Sequence, residues 1–328
     1  MDIPSISGVP SYSFDLEINQ WADYIELSCL LNKDKEISLS DVLSDYLSED
    51  FKDVPSGGDD LYSQKLDKLK VQFIDIFAYI ESRSIFLDEY YPFTFIDADT
   101  IAVKSNFDSK KIMYIFLLFA SNTRFFTKSA AYTLTHAFES ISKNVLGLMY
   151  PNFCTEGFGT ANKEGSLFYG GTLESKMIRL ANCLNTTVRR SVQSNKRYTY
   201  PSGDAGLDLV SFLPVDLSIS RISRIPVCIA QCSCSYNEWK GKQYTVTTDV
   251  WKQKLESIVS CHEYIFVPFP IRDAQGRWAA EEDDNIYTCM IDRIRIIHII
   301  KAFGNNKTDF FDSNEIYGEM LSVVQKLA

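Results

Sequence analysis

The chain has 328 residues, 45% of them hydrophobic and 13% aromatic, with 15 glycines, 10 prolines and a formal net charge of −10. That mix excludes a disordered segment, a collagen-like fibre and a minimal disulfide scaffold, and its length leaves room for two packed domains. Residues 112–120, the longest dense apolar run, number nine against the roughly 20 that a bilayer crossing needs. The first ten residues show neither a basic nor an apolar leader region, so a cytoplasmic chain without a membrane span is expected, its eight cysteines reduced and mostly buried.

The charge is uneven. Residues 1–125 carry 11 Lys and Arg against 22 Asp and Glu, whereas residues 126–328 carry 22 against 21. An acidic first half repels phosphate, so any nucleic-acid contact is expected in the second. A basic cluster there, Lys176, Arg179, Arg189, Arg190, Lys196 and Arg197, is either such a surface or a solvated face.

In chain order, Phe14, Ile18, Trp21, Ile25 and Leu30 are spaced for a helix over 13–31. Residues 53–60 read as a loop, and a long helix over 61–87 follows from Leu66, Leu69, Phe73, Ile76, Phe77 and Ile80. Residues 91–104 form a hairpin turning at 97–99, and 110–120 a buried helix. The first 125 residues therefore read as an acidic, mainly helical domain suited to regulation or to docking a protein partner. A helix over 129–150 is stopped by Pro151, and 152–171 is a glycine-rich loop of a kind that often carries function. Then come a helix over 173–184 capped by Thr172 and strands over 207–213 and 227–234. A helix over 251–260, a strand over 263–269, a β-branched strand over 286–300 and a closing helix over 316–327 complete an α/β domain spanning 126–328.

Two strands carry polar groups that an apolar sheet does not ordinarily hold. Asp208 stands in Gly206-Leu-Asp-Leu-Val210, and Gln231 in Ile229-Ala-Gln-Cys232. Burying either unpaired costs about 1–3 kcal/mol, and a hard cation bound by oxygen ligands would offset that cost. Cys228, Cys232, Cys234, Cys261 and His262 lack the spacing of a zinc knuckle, and the glycines of 157–171 form neither a P-loop nor a dinucleotide fingerprint.

These segments resemble the restriction-endonuclease-like, PD-(D/E)xK nuclease superfamily over residues 129–270. The resemblance implies a central mixed sheet flanked by helices, with Asp208 as the first acidic position, Gln231 as the second and Glu139 as the acid of an upstream helix. It implies Mg²⁺ or Mn²⁺ held by Asp208, Gln231 and the Cys232 carbonyl, with Asp204 as a further or outer ligand, and DNA as substrate. Where the superfamily places lysine this chain has Ser233, so Lys240 or Lys242 is the candidate replacement. Tyr91-Pro-Phe93, Gly203-Asp204 and Asp292-Arg-Ile-Arg295 are also similar to segments of bacterial nucleases linked to anti-phage defence. Two functions stay open: a metal-dependent, partner-regulated deoxyribonuclease, or a nuclease-like adaptor that has lost its chemistry within a larger defence assembly.

Overall fold

The computed structural model describes residues 17–50, 59–159, 164–193, 195–199, 203–215, 224–273, 275–278, 287–304, 318 and 321. The chain forms an α/β structure of two units, one comprising 1–131, 269–281 and 311–328, the other 132–268 and 282–310. Among the described residues no helix is long and apolar enough to cross a membrane.

In the first unit, α1 (Ile18–Leu31), α2 (Leu39–Asp50), α3 (Asp59–Leu87) and α4 (Ser109–Ser121) accompany a small antiparallel sheet of β1 (Glu36–Ser38), β2 (Phe93–Asp97) and β3 (Thr100–Val103), in the order β1-β3-β2. The expectation of three helices and a single hairpin therefore omits β1 and α2. Three residues, Glu36-Ile-Ser38, are too short for alternation to register, and only their pairing with β3 makes them a strand. The unit is organised around a buried charge network. Asp23 and Glu26 of α1 meet Arg83 of α3, whose Nη1 lies 2.7 Å from Asp23 Oδ1 and 2.9 Å from Glu26 Oε2. The hydroxyls of Tyr91 and Tyr114 donate to Glu26, and that of Ser121 to Asp23. Saturating every carboxylate oxygen offsets much of the desolvation that buried charges otherwise impose.

The second unit contains α5 (Lys128–Met149), β4 (Cys154–Gly157), α6 (Leu173–Cys183), α7 (Arg190–Gln193), β5 (Leu209–Phe212) and β6 (Val227–Cys232). After these come α8 (Trp239–Lys242), which runs on into a 3-10 turn (Gln243–Val246), α9 (Thr248–Lys252), β7 (His262–Phe266), β8 (Cys289–Ile291) and α10 (Arg293–Ile299). The sheet order is β4-β5-β6-β7-β8, antiparallel through β6 and parallel from β6 to β8. Alternation along β6 divides the two faces. Val227 and Ile229 join Val210, Phe212, Met177, Leu180 and Trp251 in one core, each such burial contributing roughly 1.5–3 kcal/mol. Cys228 and Cys232 face the other way, where Tyr150 and Ser142 of the α5 segment are their polar neighbours.

Three expectations for this unit need correction. Residues 154–157 are a strand within the expected loop, and the helix expected over 251–260 ends at Lys252. The β-branched run 286–300 contributes only a three-residue strand and then turns helical. Asp292 caps α10 by accepting the Arg295 N–H at 3.0 Å, and Ile294, Ile296, Ile297 and Ile300 all pack inward. Tertiary burial there outweighs a helix propensity deficit of a few tenths of a kcal/mol per residue. Arg293 donates to the Pro268 carbonyl and Arg295 to that of Met290, so the Asp-Arg-Ile-Arg segment builds a helix start. Of the loop expected at 53–60, residues 59 and 60 open α3 and the rest lies outside the described residues, as do most of the closing helix and everything before residue 17.

Candidate active site

A tight turn delivers Asp208 to the sheet. The Asp204 carboxylate accepts the Gly206 N–H at 2.7 Å, and the Asp204 carbonyl accepts that of Leu207 at 3.1 Å. Ala205 and Gly206 both take left-handed backbone, at φ 57° and 78°, a conformation that costs a residue with a Cβ about 1 kcal/mol or more. External bonds hold the turn there: Lys254 Nζ donates to the Ala205 carbonyl at 2.7 Å, and the Thr245 hydroxyl to that of Gly206 at 3.0 Å. Asp208 is then pinned through its own backbone, donating to Ala230 O at 3.0 Å and accepting from the amides of Phe158 and Gly159 at 2.6 and 3.2 Å. Its Oδ2 accepts the Cys232 N–H at 2.7 Å.

The other carboxylate oxygen turns toward α5. A Cβ built on Gly159 would lie 3.1 Å from Asp208 Oδ1 and 3.2 Å from Glu139 Oε2. The two acids therefore converge on one point at the end of β4, and only glycine leaves that point open. Burial, with the Asp208 and Asp204 charges adding to it, pushes Glu139 up to about 8, while Lys242 opposes the shift. Burial likewise pushes Asp208 up to about 7, with Asp204 adding and the Cys232 amide and Lys242 opposing. A carboxylate pair this desolvated retains protons near neutrality unless a cation joins it.

Gln231 is 6% exposed, and its Oε1 has no hydrogen-bond partner. It is flanked by Ala230 and Cys232, the two residues of β6 to which Asp208 bonds. Ser233 is buried and uncharged, its hydroxyl 3.4 Å from the Ser235 carbonyl. Of the two candidate lysines the structure brings in Lys242, whose Nζ donates to the Cys232 carbonyl at 3.4 Å and lies 3.8 Å from Glu238. Lys240 points elsewhere, its ammonium 5.6 Å over the Trp239 ring. The Cys232 carbonyl, expected as a metal ligand, thus has the lysine as its partner.

Within the basic cluster, Lys176 is 5% exposed, too buried for a solvated face, and its Nζ lies 3.5 Å from the Phe158 carbonyl; burial lowers its pKa, against the pull of Asp204. Arg179 is tied to the Gly170 carbonyl at 2.7 Å and Arg189 to that of Lys252 at 2.7 Å. Arg190 and Lys196 are exposed, and the Arg197 side chain lies outside the described residues.

Among the described residues, no three His, Cys, Asp or Glu side chains are gathered as a ready metal cage. The two convergent carboxylate oxygens suit a hard cation that keeps several waters, while Gln231, on the Val227 and Ile229 side of β6, leaves its amide oxygen without a partner. Mg²⁺ is commonly held by one or two carboxylates in that way. Sequence reasoning missed Gly159, Thr245 and Lys254, whose importance lies in contacts with residues remote along the chain. No protein-family model, curated protein or solved structure matches this chain.

Proposed function

We propose that the second unit is a metal-dependent nuclease domain of the PD-(D/E)xK kind that hydrolyses DNA phosphodiester bonds. The observation that carries this reading is the convergence of Glu139 and Asp208 over Gly159, two buried acids with raised pKa values and a lysine in their field. The order of elements, a helix, three antiparallel strands with α6 and α7 between the first and second, and a helical crossover to a parallel strand, supports it.

Asp208 and Glu139 would hold Mg²⁺ or Mn²⁺, releasing their protons as the cation arrives. When bound, the metal lowers the pKa of a water and offsets charge on the phosphate. Lys242, held by the Cys232 carbonyl, faces the same carboxylates and supplies the positive charge that Ser233 cannot, orienting the attacking water. Water oxygen bonds to phosphorus, the bond to the leaving oxygen breaks, and the water's proton passes to solvent or the leaving group. Asp204 braces the turn through the Gly206 amide and adds negative potential beside the pair. Regulation by a protein partner through the acidic first unit, in an anti-phage setting, belongs to the same proposal and rests on charge and on the segment resemblances.

The test is plasmid cleavage with Mg²⁺ or Mn²⁺, with and without co-purified partners, comparing the natural chain with Asp208→Ala and with Lys240→Ala/Lys242→Ala. Cleavage that disappears in Asp208→Ala supports the reading. A folded natural chain that stays inert in every condition sinks it and leaves the adaptor role, which Ser233 favours.

A further inference from the structure

Beside the candidate site lies an exposed aromatic pair that the reaction does not use. Tyr244 and Tyr287 are 48% and 53% exposed, with ring centroids 4.9 Å apart and planes inclined at 46°. Their placement is specified. Gln243, 1% exposed, accepts the Tyr287 N–H through Oε1 at 2.9 Å, tying the segment before β8 to the turn after α8. Tyr244 sits between two residues already engaged at the site: Lys242 two positions before it and Thr245 immediately after, whose hydroxyl bonds both Gly206 O and Lys242 O. Lys240 lies in the α-helical turn 239–242 and Tyr244 in the 3-10 turn 243–246 that follows it without a break. Both are exposed.

An exposed ring pair and an exposed lysine on the segment that also carries Lys242 offer a π-surface and a positive charge together. Nucleic-acid bases recognise that combination when they are unstacked, since an aromatic side chain takes the face of a base and an ammonium the adjoining phosphate. A base inside a duplex has both faces covered and gains nothing from the rings. We infer that Tyr244 and Tyr287 form a base-stacking platform, with Lys240 beside it, that selects single-stranded or frayed nucleic acid for the candidate site. This rests on the nuclease reading for its place in a reaction, and it gives that reading a substrate class.

The test uses the full chain carrying Asp208→Asn, with a 5′-labelled mixed-sequence single-stranded 20-mer and the matching duplex as probes, followed by fluorescence anisotropy. Tyr244→Ala should weaken single-strand binding about tenfold, the loss of one stacked base, while Tyr244→Phe keeps it and duplex binding changes less than twofold. Lys240→Met should weaken binding and lower the dependence of log K on log salt by about one, which Tyr244→Ala should not. Equal losses on single strand and duplex, a Phe variant as poor as Ala, or no effect of either tyrosine would overturn the platform; the last outcome leaves the rings to a protein partner. Cleavage by the natural chain is assayed separately. An inert chain that still prefers the single strand through Tyr244 sinks the nuclease reading and leaves the platform standing, whereas a chain that cuts and binds duplex equally well does the reverse.

Discussion

The Glu139–Asp208 pair makes a prediction whose sign is opposite to that of most carboxylates. Asp208 is 4% exposed, and its pKa rises from the model-compound value of 3.8 to about 7 in the folded chain. Between those values the folded protein keeps a proton that the unfolded chain has already released, so raising the pH favours unfolding. The stability this proton contributes is fully present below pH 3.8 and is lost as pH climbs through about 7. Over about three pH units at ~1.4 kcal/mol per unit, the metal-free protein loses roughly 4 kcal/mol, and at roughly 2 °C per kcal/mol its melting temperature falls by about 8 °C. Glu139, raised chiefly by its own burial, acts in the same direction. Asp208→Asn keeps an oxygen for the Cys232 amide and removes the charge, and Glu139 then ionises nearer its usual range. The assay is thermal melting in EDTA from pH 4.5 to 8, natural chain against Asp208→Asn. The variant should match the natural chain at low pH and melt higher at pH 8, and Mg²⁺ added at pH 8 should stabilise only the natural chain. A difference that is flat with pH, or an Asn variant less stable at pH 8, would refute the electrostatic account of the pair.

Three further outcomes follow from separate parts of the structure. Gly159→Ala puts a methyl group 3.1–3.2 Å from an oxygen of each acid, and titration calorimetry with Mn²⁺ should show affinity lowered about tenfold or more, with folding retained. Lys242→Met should slow cleavage on the order of 100-fold and Lys240→Met far less, measured as single-turnover rates at saturating DNA; equal losses would mean that Lys242 has no special place. Arg83→Met leaves Asp23 and Glu26 buried without their cation and should cost about 3–5 kcal/mol in urea unfolding of the first unit, so a loss below 1 kcal/mol would contradict the network.

The elements that sequence periodicity located are those whose signal is local. α3 and α5 each repeat apolar residues at three and four over many turns, and the hairpin of β2 and β3 has its turn residues at 97–99. β4 and β1 are strands only because a partner strand bonds to them, and nothing in Cys154-Thr-Glu-Gly157 announces that. The isoleucines of α10 favour a strand intrinsically, and a single capping aspartate together with inward packing reverses the preference. Within the site, Asp208 and Gln231 stood out because charge and amide interrupt apolar strands. Gly159 did not, since its value lies in what a side chain there would strike. The choice between Lys240 and Lys242 was legible in principle: two residues apart on a helical segment, they project about 200° from one another, so at most one can face the acids.

On the nuclease reading, the backbone of Cys232 stands in for a lysine at position 233. Its N–H fixes Asp208 Oδ2 at 2.7 Å and its carbonyl accepts from Lys242 at 3.4 Å, so one residue's backbone sets acid and ammonium relative to each other. A lysine on the strand would obtain the same relation from sheet register; here α8 returns to the strand end and obtains it from a hydrogen bond. The side chain of Cys232 takes no part in that link. Burial holds its thiol well above the usual range with Ser142 beside it, far from a thiolate nucleophile or metal ligand at neutral pH. Cys232→Ala should therefore cost about 1 kcal/mol of stability through the small cavity, while cleavage and its Mg²⁺ dependence stay within about twofold of the natural chain. A hundredfold loss of activity in a folded Cys232→Ala protein would place the thiol in the chemistry and undo the argument that the backbone alone couples Asp208 to Lys242.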